Sequence, residues 1–371
     1  MPQLVALAMP PGPRFVYELR RAWDGGDAVL PVDPRLPPAA VERLLDAMAP
    51  AIVVDGGGER VGRPGARPAE DGDALVVATS GTTGEPRGVV LTHDAVAASA
   101  YATSARLDVD PARDRWLACL PVAHVGGLAV VTRSIVTGVP FDILPGFDAE
   151  AVAESRATLV SLVATALQRT STSHFRAVLL GGAAPPAEVA PNVVVTYGMT
   201  ETGSGVVYDG VPLDGVEVRI TDRTGEIFLR GPMLLRAYRD GADPRTADGW
   251  FRTGDAGAFD AMGRLRVHGR LSELIITGGE NVWPTAVEAA LRPHRSVADV
   301  VVRGEPDEEW GAVVTAEIVL DRGASEPSLD ELRRFARVVL PGYALPRRVR
   351  FVAAIDRTAS GKVRRPAAGP A

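Results

Sequence analysis

The 371-residue sequence has one cysteine, one lysine among its 40 basic residues, and no apolar stretch near the ~20 residues of a membrane-spanning helix. The single thiol, Cys119, excludes an intrachain disulfide and any metal site built from several cysteines. A formal net charge of −6 argues against a nonspecific nucleic-acid binder, which needs a basic face. The first residues, MPQLVALAMPPGPRF, lack the basic start and small-residue cleavage site of a secretory leader. A cytoplasmic protein with no membrane span and no nucleic-acid partner is therefore expected. No internal repeat or domain-sized low-complexity tract is present. The scarcity of lysine is informative in another way. Exposed lysines can be exchanged for arginine at little cost, but not where chemistry needs a compact ammonium, because guanidinium is broader and planar. Lys362, the one lysine, marks a place to look.

Short β-rich apolar runs alternate with Ala/Leu-rich helical stretches through the first half. Strands are expected at 27–32, 51–54, 74–79, 139–144, 177–180 and 193–196, and helices at 38–48, 94–107 and 149–156. This alternation predicts a largely parallel sheet covered by helices. Residues 56–73, rich in Gly, Pro and charge, read as an exposed loop. From Val216 the pattern changes to hairpins, VEVRI and EIFLRG flanking the turn DRTG. After Arg270 a smaller α+β set follows, with strand-like LIIT, ADVVVRG, AVVTAEIVL and RVRFV, and helices at 284–291 and 329–338. The expected fold is α/β. A large domain over 1–270 combines parallel and mixed sheets, helices and a β-rich subdomain, and a small α+β domain spans 271–371.

Five stretches could carry chemistry. TSGTTGEPRG (Thr79 to Gly88) follows the apolar run ALVVA; its glycines allow close approach, and its N–H groups and hydroxyls can donate to phosphate. It is not a Walker loop, since Glu-Pro-Arg follows Gly84, and a polar turn between two strands is the alternative. In YGMTETG, Tyr197 could stack on a purine, Thr200 donate to a phosphate and Glu201 ligand Mg²⁺; alternatively Thr200 or Thr202 caps a helix start. Asp255 in TGDAG suits a ribose diol or a simple turn. The Gly-Gly-Ala-Ala of LLGGAAPP reads alone as a strand-to-helix turn, and His124 in LPVAHVGGL as a structural histidine.

Ser80 to Gly88 resembles the phosphate-binding loop of the adenylate-forming superfamily, which includes acyl-CoA synthetases, peptide-synthetase adenylation domains and firefly luciferases. Four further stretches match that family in order: YGMTETG (197–203), GWFRTGD (249–255), GRLSELIITGGENVWPTAVE (269–288) and RTASGKVRR (357–365). With VLPVDPRLPP near the start, the likeness covers almost the whole chain. The resemblance implies ATP, Mg²⁺ and coenzyme A as co-substrates and cofactor, with a carboxylic acid as the substrate. It gives Ser80, Gly81, Thr82, Thr83, Gly84 and Arg87 to the phosphates. Gly181, Gly182 and Ala183 go to the adenine side, and Tyr197, Gly198, Met199 and Thr200 to the nucleotide. Glu201 is assigned to the metal, Asp255 with Arg270 to the ribose, and His124 with Ser204 to the acid substrate. Lys362 would bridge the acid carboxylate and the α-phosphate. Ser272 would be the hinge about which the small, mobile domain rotates, bringing Gly278, Gly279, Glu280 and Asn281 to the site as the CoA-side loop.

Two departures stand out. Arg87 replaces the family's usual lysine, and little precedes VLPVDPRLPP, so a homodimer partner is one way to cover the outer part of the large domain. Among subfamilies, LPVAHVGGLAVVTRSI, LLGGAAPP and YGMTETGSG most resemble the o-succinylbenzoate–CoA ligases of menaquinone biosynthesis. Such a dicarboxylate needs a second cation in its pocket; Arg133 is a candidate, although an arginine there reads first as a surface residue. A ligase for another aryl or short fatty acid shares every motif. An adenylation enzyme loading a carrier protein would leave CoA unused, and a non-enzymatic nucleotide binder would not need Glu201, Asp255 and Lys362 together.

Overall fold

The computed structural model describes residues 1–80, 85–186, 188–357 and 363. The chain has the mixed α/β architecture expected, with four sheets among the described residues and helices alternating with strands along the chain. By its internal contacts it divides into two compact units. One comprises Met1–Val218 with Leu229–Phe251, and the other Arg219–Phe228 with the described residues from Arg252 onward.

The first unit contains two seven-stranded sheets. In the first sheet, Leu4–Ala8 lies between Ala28–Val32 and Ile52–Asp55, parallel to both, and Ala28–Val32 pairs in parallel with Asp73–Ser80. Leu4–Ala8 and Ala28–Val32 are buried on both faces and read as unbroken apolar runs, which is what a covered parallel sheet requires. The antiparallel hairpin of Asp73–Ser80 and Pro86–Thr92 extends it, and Ala237–Tyr238 pairs with that outer strand. In the second sheet, Trp116–Ala118, Leu159–Val163, Ala177–Gly181 and Val193–Met199 are parallel neighbours, and Ser204–Tyr208 closes antiparallel on the last. The interior of the sheets is thus parallel as expected, and the antiparallel strands lie outside it.

Several elements lie where the sequence reading marks none. Strand Leu4–Ala8 and helix Pro13–Asp24 precede the first expected strand, and helix Val125–Thr137 spans the apolar run after His124. Residues 56–73 are not all loop. Asp55 accepts the Glu59 backbone N–H at 2.8 Å, and the turn so closed brings Arg60–Gly62 antiparallel to Ile52–Asp55.

Helix Val125–Thr137 depends on a glycine. A Cβ at Gly127 would collide with the backbone carbonyl oxygens of Leu120 and Pro121, whereas one at Gly126 meets only Leu120 Cδ1 at 3.7 Å. Gly127→Ala is expected to destabilise the fold by about 1–3 kcal/mol, with Gly126→Ala nearly neutral. Thermal melting of the two variants checks this; equal midpoints would contradict the close approach.

A four-stranded sheet, most of whose residues belong to the second unit, runs in the order Glu217–Ile220, Glu226–Arg230, Phe251–Phe259, Leu265–Arg270, which is the β-rich segment expected after Val216. Beyond it, Val297–Asp307 and Gly311–Leu320 form a long hairpin, with Arg348–Phe351 parallel to the second strand. Helices Pro284–Leu291 and Leu329–Ala336 contribute Val287, Leu291, Leu332 and Ala336 to a core shared with Val300, Val302, Val314, Ala316 and Ile318.

Candidate functional site

The described residues expected on the phosphate side lie in the first unit. Strands Asp73–Ser80 and Pro86–Thr92 run in register up to the pair Ser80 and Pro86, and the Thr79 hydroxyl donates to the Arg87 carbonyl at 3.2 Å. Gly81, Thr82, Thr83 and Gly84 lie outside the described residues. Arg87, expected to face phosphate, lies with its guanidinium carbon 3.5 Å from the Tyr238 ring centroid and Nη2 3.5 Å from Asp240. Tyr238 in turn donates its phenolic hydrogen to Glu201 Oε1 at 3.1 Å. Burial, with the Glu201 carboxylate beside it, pushes the Tyr238 phenol far above its usual range, so it remains a donor. Tyr238 and Asp240 carry no motif that the sequence reading used.

Glu201 is presented by the turn in YGMTETG. Strand Val193–Met199 carries a register irregularity between Tyr197 and Gly198, where a Cβ on Gly198 would strike the Ser204 carbonyl oxygen. A short 3₁₀ turn, Thr200–Thr202, follows. Buried Thr202 fixes it, accepting the Met199 N–H at 2.9 Å and donating to the Ser204 carbonyl at 2.7 Å. Of the two threonines read as caps, Thr202 takes that structural role. Gly181 ends the adjoining parallel strand, Ala177–Gly181, and Gly182 and Ala183 follow it, so the GGA segment and the TE turn emerge side by side from the carboxyl ends of paired strands. That is where ligands bind on open parallel sheets. Among the described residues no three His, Cys, Asp or Glu side chains cluster as a metal cage. One carboxylate beside hydroxyls fits Mg²⁺, which keeps waters and is held mainly by substrate phosphates.

The residues expected on the acyl side lie on or beside helix Val125–Thr137. His124 is its N-cap residue and half-buried, without a side-chain capping bond. Asp33 is missing from the sequence-level candidates. Its carboxyl is held below the ordinary range chiefly by the bidentate Arg35, with His124 adding a smaller attraction. Arg133 overturns the surface reading, being only 2% exposed. Its guanidinium lies 4.9 Å from the Trp116 ring centroid, and Nη2 donates to Ser204 Oγ at 3.3 Å. Nε and Nη1 are buried without a hydrogen-bond partner among the described residues. Burial depresses its pKa. Leu75, Val96, Ala100, Leu128, Thr132 and Gly203 line the small cleft that reaches it. An unpaired buried cation costs several kcal/mol, and an anion placed here would offset that.

In the second unit, Asp255 and Arg270 are directly opposed on antiparallel strands. Asp255 is buried and its Oδ1 lies 2.8 Å from Arg270 Nε, while Arg270 Nη1 donates to the Thr253 carbonyl at 3.0 Å. The Asp255 N–H donates to Thr253 Oγ1 at 3.0 Å. The two predicted ribose residues are thus one fixed pair. Ser272 is exposed in the 3₁₀ turn Leu271–Glu273. Gly278 and Gly279 form the two-residue turn of a hairpin in which Thr277 faces Glu280, and Asn281 lies on the return strand. The Gly278 N–H donates to the Trp310 carbonyl at 2.9 Å, and the Arg347 guanidinium lies 3.7 Å from the Trp310 ring centroid. Lys362 lies outside the described residues.

Comparison with known proteins places these features in context. Residues 55–239 match the family described as AMP-binding enzyme, and residues 286–362 the AMP-binding enzyme C-terminal domain. The chain is 39% identical over 363 residues to the "Probable 2-succinylbenzoate–CoA ligase" of Mycobacterium tuberculosis (strain ATCC 25618 / H37Rv), covering 88% of this chain and 93% of that protein. It is 36% identical to the 2-succinylbenzoate–CoA ligase of Enterococcus faecalis (strain ATCC 700802 / V583) over 78% of this chain and 68% of that one. Among solved structures, the o-succinylbenzoate CoA synthetase of Bacillus subtilis in complex with the acyl-adenylate intermediate OSB-AMP superposes with a TM-score of 0.84. It is 27% identical, over 97% of this chain and 87% of that chain. ATP-bound MatB from Rhodopseudomonas palustris, at 24% identity, shares the fold, with a TM-score of 0.86 over 98% of this chain and 87% of that chain.

Proposed function

This chain belongs to the AMP-binding enzymes, as an adenylate-forming acid–CoA ligase, and on that premise we propose that its acid is 2-succinylbenzoate, converted to the CoA thioester. The observation that carries the choice of acid is Arg133. A dicarboxylate has one carboxylate activated while the other stays anionic, and Arg133 offers that anion two nitrogens, Nε and Nη1, that have no partner among the described residues, in a cleft otherwise lined by apolar and small side chains. A substrate with one carboxylate would leave the cation buried and unpaired. Ser204, which accepts from Nη2, holds the third nitrogen in place.

The reaction proceeds in two halves. A carboxylate oxygen attacks the α-phosphorus of ATP and expels pyrophosphate, giving the acyl-adenylate; the CoA thiol then attacks the acyl carbon and expels AMP. In the first half, the residues 80–84 and Thr200 donate to phosphate oxygens, and the buried Asp255 accepts from the ribose hydroxyls while Arg270 holds it. Glu201 would hold Mg²⁺, which when bound neutralises charge on the phosphates. Holding both reactants in one site supplies proximity, and Lys362 stabilises the charge that develops on phosphorus. The domain of 271–371 then turns at Ser272, withdrawing Lys362 and bringing the 278–281 hairpin to the thiol. His124 borders the entrance of the acyl cleft. The reading includes a cytoplasmic location and a homodimer. Light scattering tests the latter, since a mass near one chain of 39.0 kDa removes the dimer.

A pyrophosphate-release assay with CoA and a panel of acids tests the substrate. Turnover of 2-succinylbenzoate is expected to exceed that of benzoate, phenylbutanoate and short fatty acids by at least about 10²-fold, the cost of leaving a buried charge unpaired. Preference for any monocarboxylate would reject the assignment. Pyrophosphate release without free thioester would favour a carrier-loading enzyme.

A further inference from the structure

The segment Leu234–Asp243, LLRAYRDGAD, holds Glu201 at two points and has no assigned role. The Leu235 N–H donates to the Glu201 carbonyl at 2.8 Å, and the Tyr238 hydroxyl to Glu201 Oε1 at 3.1 Å. The segment itself is anchored heavily. Arg236 forms a fork on buried Asp73, at 2.8 and 3.0 Å, and the Arg239 N–H donates to the Gly88 carbonyl at 2.7 Å. The Arg239 guanidinium donates to the carbonyls of Met48, Pro68 and Arg67. Tyr238 sits between these two tethered arginines, paired with Val89 across the strand, with Arg87 stacked on its ring and tied to Asp240. These arginine and backbone tethers around one phenol make a fixed donor.

We propose that Tyr238 is a positioning residue for Glu201, orienting its carboxylate toward the metal of the bound nucleotide. A metal-ligating carboxylate that swings freely loses binding energy each time it is ordered; a hydrogen bond from a rigid neighbour removes that cost, and such outer partners are worth about 10–100-fold in metal affinity. The stack of Arg87 on the ring links this donor to strand Pro86–Thr92. In Tyr238→Phe the ring and its stack remain, and only the donor is lost.

The inference rests on the reading of Glu201 as the metal ligand, and the test separates the two. Free Mn²⁺ is followed by electron paramagnetic resonance while the full-length protein is titrated in the presence of a non-hydrolysable ATP analogue, for the parent, Tyr238→Phe and Glu201→Gln. Thermal melting of each variant reports folding. Weaker Mn²⁺ binding by about 10-fold in Tyr238→Phe, alongside a loss in Glu201→Gln, supports the proposal. A purely structural tyrosine would lower the melting temperature and leave Mn²⁺ affinity at the parental value. Parental affinity in Tyr238→Phe with a loss in Glu201→Gln overturns the role of Tyr238 alone. Parental affinity in Glu201→Gln overturns the metal reading of Glu201, and the role of Tyr238 with it.

Discussion

Lys362→Arg is expected to lower acyl-adenylate formation by about 10²–10³-fold, the usual loss for one charge-stabilising donor, while thioester formation from preformed acyl-adenylate is largely spared. The chain tolerates arginine at every other basic position and keeps one lysine, in TASGK. The C-terminal family match, 286–362, ends on that residue. An ammonium places three donors around a point charge and fits between a carboxylate and a phosphate; a guanidinium is wider, and its donors lie in one plane. Loss of charge is therefore not what the substitution tests, since arginine keeps it. Acid-dependent pyrophosphate release measures the first half-reaction. Single-turnover thioester formation from synthetic acyl-adenylate and CoA measures the second. Equal losses in both halves would make Lys362 a structural residue and remove its catalytic assignment.

The second large effect belongs to Arg133. Arg133→Met is expected to lower kcat/KM for 2-succinylbenzoate by about 10²–10⁴-fold, corresponding to the ~3–5 kcal/mol of a broken buried ion pair. The same change should raise the melting temperature of the free protein. Nε and Nη1 are buried and unpartnered among the described residues, so an apolar side chain of similar volume removes an uncompensated desolvation penalty. Monocarboxylates should be used no worse by the variant, and better relative to the dicarboxylate. The opposite signs on stability and on substrate use make the outcome diagnostic. If the melting temperature falls and all acids lose turnover alike, the stack of Arg133 on Trp116 is structural and the second carboxylate binds elsewhere.

The order of motifs, the alternation of strands and helices and the change to hairpins after Val216 were legible because each is local: a strand declares itself by its own side chains, and a turn by its own glycines. Helix Val125–Thr137 was not legible. Its residues 127–134 are all buried, so no polar face gives it a helical period. The same burial hid Arg133, since an arginine in a sequence is most often a solvated one.

What the sequence determined by itself is the chemistry on offer: which side chains exist, in what order, and that ammonium occurs once. What only the tertiary structure decided is which of them meet. Arg133 reaches Ser204 across 71 positions, and Tyr238 reaches Glu201 across 37. Those meetings follow from strand pairings between distant segments, such as Ala237–Tyr238 on Pro86–Thr92. Pairing and burial are properties of the packed whole, and no window of residues along the chain contains both partners.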